Sequence, residues 1–120
     1  MNEHQAHPFA LHWIEAWNTH DLDAILAHYT EDVVFHSPFV VKLGLHAEGI
    51  IRGKEELRSY FARGLAAYPE LEFQLHEVLT GVGSLTLLYR SVNRLLAAET
   101  FLLQPDGKAY TVYCHYTETT

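Results

Sequence analysis

RLLAAETFLLQPDGKAYTVYCHYT, residues Arg94 to Thr117, is the stretch that decides the fold of this 120-residue chain. In its first half Leu95, Ala97, Glu99, Phe101 and Leu103 occupy every second position, the spacing at which strand side chains share one face. Pro105-Asp106-Gly107 is a strong hairpin signal. The second half alternates again, with Tyr110, Val112, Cys114 and Tyr116 on one face and Thr111, Tyr113 and His115 on the other. Two long antiparallel strands are therefore predicted, Arg94 to Gln104 and Lys108 to Thr117. Glu99 is the one polar member of its face, so its carboxyl is expected to be either buried or functional.

Further upstream the same period of two runs through Leu71 to Thr80 and Ser84 to Val92, joined at Gly81-Val82-Gly83. Before Pro69 the period becomes helical. Gly53 opens a helix that carries Glu55 and Glu56 in its first turn and Leu57, Tyr60, Phe61, Gly64, Leu65 and Tyr68 on one stripe. Phe9, Ala10, Trp13, Ile14, Ala16 and Trp17 mark a first helix, with Pro8 suited to its first turn. Asp21 caps a second, in which Leu22, Ile25, Leu26 and Tyr29 form the apolar stripe. Asp32 to Ser37 reads as a short strand stopped by Pro38, and 39–52 as a loop with one short strand near Ile50.

The expected architecture is thus a single α+β domain over residues 1–120. It is a cone-shaped roll of three helices, all in the N-terminal half, packed on a curved, mainly antiparallel sheet. Three helices cannot cover both faces of such a sheet. The inner face is expected to bend around them, and the outer face, where apolar, to be covered by a second subunit, giving a homodimer through the sheet.

Composition narrows the partners. The net charge is -7 with eight Lys and Arg, scattered along the chain, which disfavours nucleic acid and anionic membranes. No run approaches the roughly 20 apolar residues of a membrane span, and Met1 to His7 shows no secretory pattern. The single cysteine, Cys114, reads as a buried thiol in a reducing cytoplasm. Nine histidines are dispersed, neither His4-His7 nor any other pair forms a metal motif, and no glycine-rich phosphate loop is present. No metal and no cofactor are expected, and the expected partner is a small apolar or weakly polar molecule.

With Asp21-Leu22-Asp23-Ala24, Tyr29-Thr30-Glu31-Asp32-Val33 and Gly49-Ile50-Ile51-Arg52-Gly53 in this order of elements, the chain resembles the nuclear-transport-factor-2-like superfamily. The SnoaL-like and ketosteroid-isomerase branches are most similar, and the resemblance spans Phe9 to Tyr116. It implies a cone with an internal pocket, in a superfamily that hosts isomerases, cyclases, dehydratases, hydrolases and non-catalytic binding or dimerisation modules. The isomerases' oxyanion-donor tyrosine falls on Trp13, an indole that donates one hydrogen bond but transfers no proton at neutral pH. Their catalytic aspartate falls on Ser37, a poor base. Their carboxylic acid, kept neutral by an apolar site, falls on Glu99.

Glu99 is accordingly the first catalytic candidate, as acid or oxyanion donor, with an ion pair to Arg90 or Arg94 as the alternative reading. His36 and Ser37 are the others. Consecutive strand residues face opposite ways, so if Val33, Phe35 and Ser37 point inward, His36 lies on the outer side unless Pro38 rotates it back. The base would be His36, or a water held by Ser37. The family comparison places Trp13, Trp17, Phe35, Phe61, Phe101, Val112, Cys114 and Tyr116 around the ligand. The resulting expectation is acid/base chemistry on a small organic molecule, by an isomerase, cyclase, dehydratase or hydrolase; the alternative is a non-catalytic hydrophobic-ligand-binding or dimerisation module.

Overall fold

A computed structural model describes residues 3–117, with side chains from Gln5 onward; His4 of the His4-His7 pair lies outside the described side chains. Helix α1 spans Glu3–Asn18, α2 Leu22–Leu26, α3 Pro38–Lys42 and α4 Lys54–Ala67. Strands are β1 Tyr29–His36, β2 Ile50–Arg52, β3 Gln74–Gly81, β4 Ser84–Arg90, β5 Leu96–Leu103 and β6 Ala109–Tyr116, with a 3-10 turn at Val92–Arg94. They form one open, curved six-stranded sheet in the order β2-β1-β6-β5-β4-β3. All neighbours are antiparallel except β1 and β6. The helices lie in the N-terminal half and pack on the inner face, as expected. Among the described residues no helix is long and apolar enough to cross a membrane.

The strand face that opened the reading is the core's floor. Leu95, Ala97, Glu99, Phe101 and Leu103 are all buried, against Phe9, Trp13 and Trp17 of α1 and Phe61 of α4. Phe9 and Phe101 meet edge to face at 5.2 Å, and Trp13 and Phe101 at 5.5 Å. Burial of each such side chain stabilises the fold by roughly 1.5–3 kcal/mol.

Four expectations are corrected. A helix, α3, stands where only loop was predicted: Ser37 caps it by accepting the Phe39 N–H at 3.2 Å, and Pro38 sits in its first turn. Pro8 lies inside α1 and not at its start, because the preceding turn docks Ala6, 1% exposed, into the core. Tyr29 is the first residue of β1 and not the last of the α2 stripe; its ring is fully buried and its backbone pairs with Ala109. Tyr110 does not share the inward face of β6, because the register slips there: Leu102 faces Thr111 while Leu103 faces Ala109. That bulge turns Ala109 inward and leaves Tyr110 exposed.

Strand β3 also starts later than its sequence suggested, because residues 71–73 are claimed by the end of α1. The Asn18 amide donates to the Phe73 carbonyl at 2.9 Å and accepts the Phe73 N–H at 2.6 Å. His20 bonds the Leu71 carbonyl at 2.9 Å. This clamp ties α1 to the segment that carries Leu71 and Phe73 inward. Asn18→Ala removes both of its bonds and is expected to destabilise the fold by about 2 kcal/mol, or roughly 8 °C of melting temperature, in chemical and thermal denaturation. An unchanged midpoint would mean that burial of Leu71 and Phe73 holds the segment without the clamp.

Candidate functional site

Between the curved sheet and the helices the aromatic side chains leave a cavity of about 70 Å³. Its buried floor is Trp13 and Trp17 of α1, Phe35 of β1, Phe61 of α4, Phe73, Tyr89 of β4 and Glu99 of β5. The rim is more open: Phe39 and Leu43 around α3, Gly64 and Tyr68 on α4 and its end, and Val92 in the β4–β5 connection. Leu43 is 41% exposed, so an apolar edge meets solvent at the entrance. A water needs about 10–15 Å³ of such space, so the cavity holds several waters or the end of a small organic molecule.

Glu99 is the carboxylate of this wall. It is 3% exposed and accepts a hydrogen bond from the Tyr89 hydroxyl at 2.8 Å. The alternative ion pair is not formed: Arg90 lies on the opposite strand face, where its guanidinium donates to the Arg94 carbonyl at 3.0 Å. Burial pushes the Glu99 carboxyl up from 4.5 to about 7, and the Tyr89 and Cys114 hydrogen bonds hold it from rising further. Its neighbours stay neutral for the same reason, since burial raises the Tyr60, Tyr89 and Tyr116 phenols and the Cys114 thiol.

The structure gathers six of the predicted site residues around the cavity: Trp13, Trp17, Phe35, Phe61, Glu99 and Tyr116. Five stand elsewhere. Phe101 and Val112 face inward but lie in the packed core, both 0% exposed and outside the cavity's lining. Cys114 pairs with Glu99 across β5 and β6, yet its own opening is a shallow outer hollow shared with His36, Ser37 and Glu48. Ser37 is buried on the inner side that the family comparison implies, but its hydroxyl caps α3 by accepting the Phe39 N–H, and its presence beside Tyr60, Cys114 and Tyr116 lowers their pKa slightly against the larger effect of burial. His36 is on the outer side, stacked on Tyr113 at 4.2 Å with Nδ1 2.9 Å from the Val112 carbonyl; Pro38 does not rotate it inward.

Trp13, the predicted oxyanion donor, spends its N–H on the Tyr29 hydroxyl at 3.0 Å. Tyr89, Tyr60, Phe73 and Ser91 are site residues that the sequence reading missed. For Tyr89 a signal existed. In the β4–β5 register Leu87 faces Glu99, which places Tyr89 diagonally across from it on the same face. Phe73 carried none, because its position depends on the clamp from Asn18. Among the described residues no group of His, Cys, Asp and Glu is placed to hold a metal ion.

Residues 10–117 match the family profile of the SnoaL-like domain. The chain is similar to a SnoaL-like protein of unknown function from Burkholderia thailandensis, with 36% identity, 98% of this chain and 99% of that one covered, and a TM-score of 0.93. Two more distant structures share the fold. The epoxide hydrolase/cyclase-like enzyme SalBIII, with a role in pyran ring formation in the polyether salinomycin, is 19% identical over 97% of this chain and 93% of its own, at a TM-score of 0.78. An NTF2-like protein from Anabaena variabilis is 16% identical over 96% and 88%, at 0.75. No curated protein sequence matches the chain significantly.

The raised Glu99 carboxyl makes a signed prediction. Between pH 4.5 and about 7 the folded state holds a proton that the unfolded state releases, so this group's contribution to stability falls as pH rises and levels off above about 7. His28 acts the other way: burial and the nearby His12 lower it from 6.5 to about 4, so its contribution rises with pH across that window. The two slopes overlap in wild type. Glu99→Gln removes only the falling one, so the stability difference between variant and wild type should move in the variant's favour by about 3 kcal/mol from pH 4.5 to 7.5 in urea titrations. A pH-independent difference would place the Glu99 carboxylate in a water-like setting.

Proposed function

The chain belongs to the SnoaL-like domain family, and from that premise we propose that its cavity takes one end of a small, neutral, largely apolar molecule on which Glu99 acts as proton acceptor and donor. The observation that carries this reading is the carboxyl itself, buried among aromatic rings and reachable from the cavity. An acid with a pKa of about 7 exists in both forms at neutral pH. One group can then remove a proton beside a carbonyl and return it at another carbon or to an oxygen, without the separate base that Ser37 does not supply. The phenols on the wall, raised by burial, serve as hydrogen-bond donors and not as bases.

A second reading is binding without turnover. It is favoured by the engagement of Ser37 as the cap of α3, because the place where the isomerases carry their base is structurally occupied here. Incubation with a panel of enones, epoxides and lactones in D2O, followed by NMR for exchange and new products, separates the two. The catalytic reading expects exchange or turnover that Glu99→Gln lowers by about 10²-fold while binding persists, and that His36→Ala leaves in place. Binding with no exchange in wild type favours the second reading, and absence of binding across the panel removes both.

The outer sheet face supports a homodimer in the same proposal. Leu79, Leu88, Ala98, Leu102 and Tyr113 lie on it, with Leu79 55% and Tyr113 42% exposed, and the His36–Tyr113 stack at its centre. A cytoplasmic location fits the single thiol. Light scattering is expected to give twice the 13.7 kDa chain mass for wild type and a shift toward monomer for Tyr113→Glu. A wild-type monomer at micromolar concentration would leave the outer face without this role.

A further inference from the structure

Two indoles share one turn-to-turn stripe of α1, and their N–H groups have opposite fates. Trp13 Nε1 donates to the buried Tyr29 hydroxyl at 3.0 Å. Trp17 is only 7% exposed, and its Nε1 is the one buried side-chain nitrogen or oxygen among the described residues with no hydrogen-bond partner. Folded proteins rarely leave a buried donor unpaired, since its lost hydration is not returned. The ring contacts of Trp17 are with Phe61, edge to face at 4.8 Å, with Phe73 at 5.3 Å and with Trp13 at 6.1 Å, none of which carries a lone-pair oxygen. The same ring lines the cavity.

We infer that the Trp17 indole N–H is the anchoring donor of the cavity, holding the oxygen of a neutral carbonyl, lactone or epoxide while Glu99 faces another part of the same molecule. The inference rests on the ligand-cavity reading above and adds the ligand's polar signature to it. The chemistry selects among oxygen compounds. An indole N–H donates and never accepts, so it rewards a lone pair and offers nothing to a group that only donates. An anionic ligand would meet the ionised form of Glu99 in the same dry space, which disfavours it. Phe61 and Phe73 pack on Trp17, and Phe35 and Leu71 also line the cavity, so much of the ligand's surface there is apolar. About 70 Å³ admits a small ring only if part of it lies in the rim between Leu43, Gly64 and Val92.

The test compares cyclohexanone with methylenecyclohexane, which replaces the carbonyl oxygen by a CH2 of similar shape. In 15N-labelled wild type the two tryptophans give two indole N–H resonances. Cyclohexanone is expected to move the Trp17 indole signal downfield and leave that of Trp13 in place, while methylenecyclohexane binds without the downfield shift. Trp17→Phe keeps an aromatic ring and removes the donor; it should weaken cyclohexanone about 3–10-fold and change methylenecyclohexane by less than about twofold. Equal losses for both probes, or cyclohexanone binding with an unmoved Trp17 signal, would overturn the inference and leave the cavity reading standing; the second outcome would indicate an N–H directed at the Phe61 ring. If neither probe perturbs any cavity resonance, the cavity reading falls and the inference with it. The wild-type titration decides the matter even where Trp17→Phe does not fold.

Discussion

One carboxyl on an otherwise apolar strand face sets the terms for the rest of this protein. Burying Glu99 disfavours its charge, while the Tyr89 hydroxyl and the Cys114 thiol stabilise that charge by hydrogen bonding. Burial outweighs the hydrogen bonds, and the carboxyl is raised from 4.5 to about 7. The tyrosines around it have no such compensation of comparable size, so burial leaves them protonated. The cavity wall is therefore close to uncharged below neutral pH, with polarity supplied by donors instead of ions. A wall of that kind suits a neutral guest and penalises a charged one.

Helix α1 supplies both the polish and the one rough point of that wall. Its Trp13 is committed to Tyr29, which fastens the start of β1 beneath the helix. Its last residue, Asn18, and the following His20 reach across to Phe73 and Leu71 and bring the cavity's far side into place. Trp13, Asn18 and His20 thus all spend polar groups on fastening α1 to its surroundings, whereas the buried Trp17 N–H has no hydrogen-bond partner. Because the helix is tied at both the sheet and the 71–73 segment, the Trp17 ring is held by its neighbours and not by hydrogen bonding.

Side was legible in the sequence; depth was not. Alternation along β5 turns Glu99 inward with its apolar neighbours, and along β1 it sets Ser37 and His36 on opposite faces, while which of the two faces inward comes from the family comparison and the turn at Pro38 leaves the side of His36 open. The same rule cannot say whether an inward residue meets a cavity or a packed neighbour, since that depends on which helix lies above it. Phe101 and Val112 are inward and solidly packed, whereas Phe35 and Tyr116 are inward and reach the opening. Alternation also fails at bulges, which insert a residue without changing composition, and Tyr110 is exposed for that reason. At Ser37-Pro38 one signal has two meanings: a proline ends strand β1 and, behind a serine cap, also begins α3.

The replacement at Ser37 shows how a local structural choice limits chemistry on a shared scaffold. A carboxylate there would sit beside the Tyr60 and Tyr116 phenols and the Cys114 thiol; a serine instead closes the first turn of α3 by accepting the Phe39 N–H. With that position given to architecture, the proton transfer proposed above would run through the β5 carboxyl. A single group can serve only where the proton leaves and returns on the same side of the bound molecule, because Glu99 is held by Tyr89 and does not travel. The catalytic reading proposed above is thereby narrowed to same-face proton shifts and additions guided by a fixed acid. That restriction follows from sheet register and burial, before any particular guest is named.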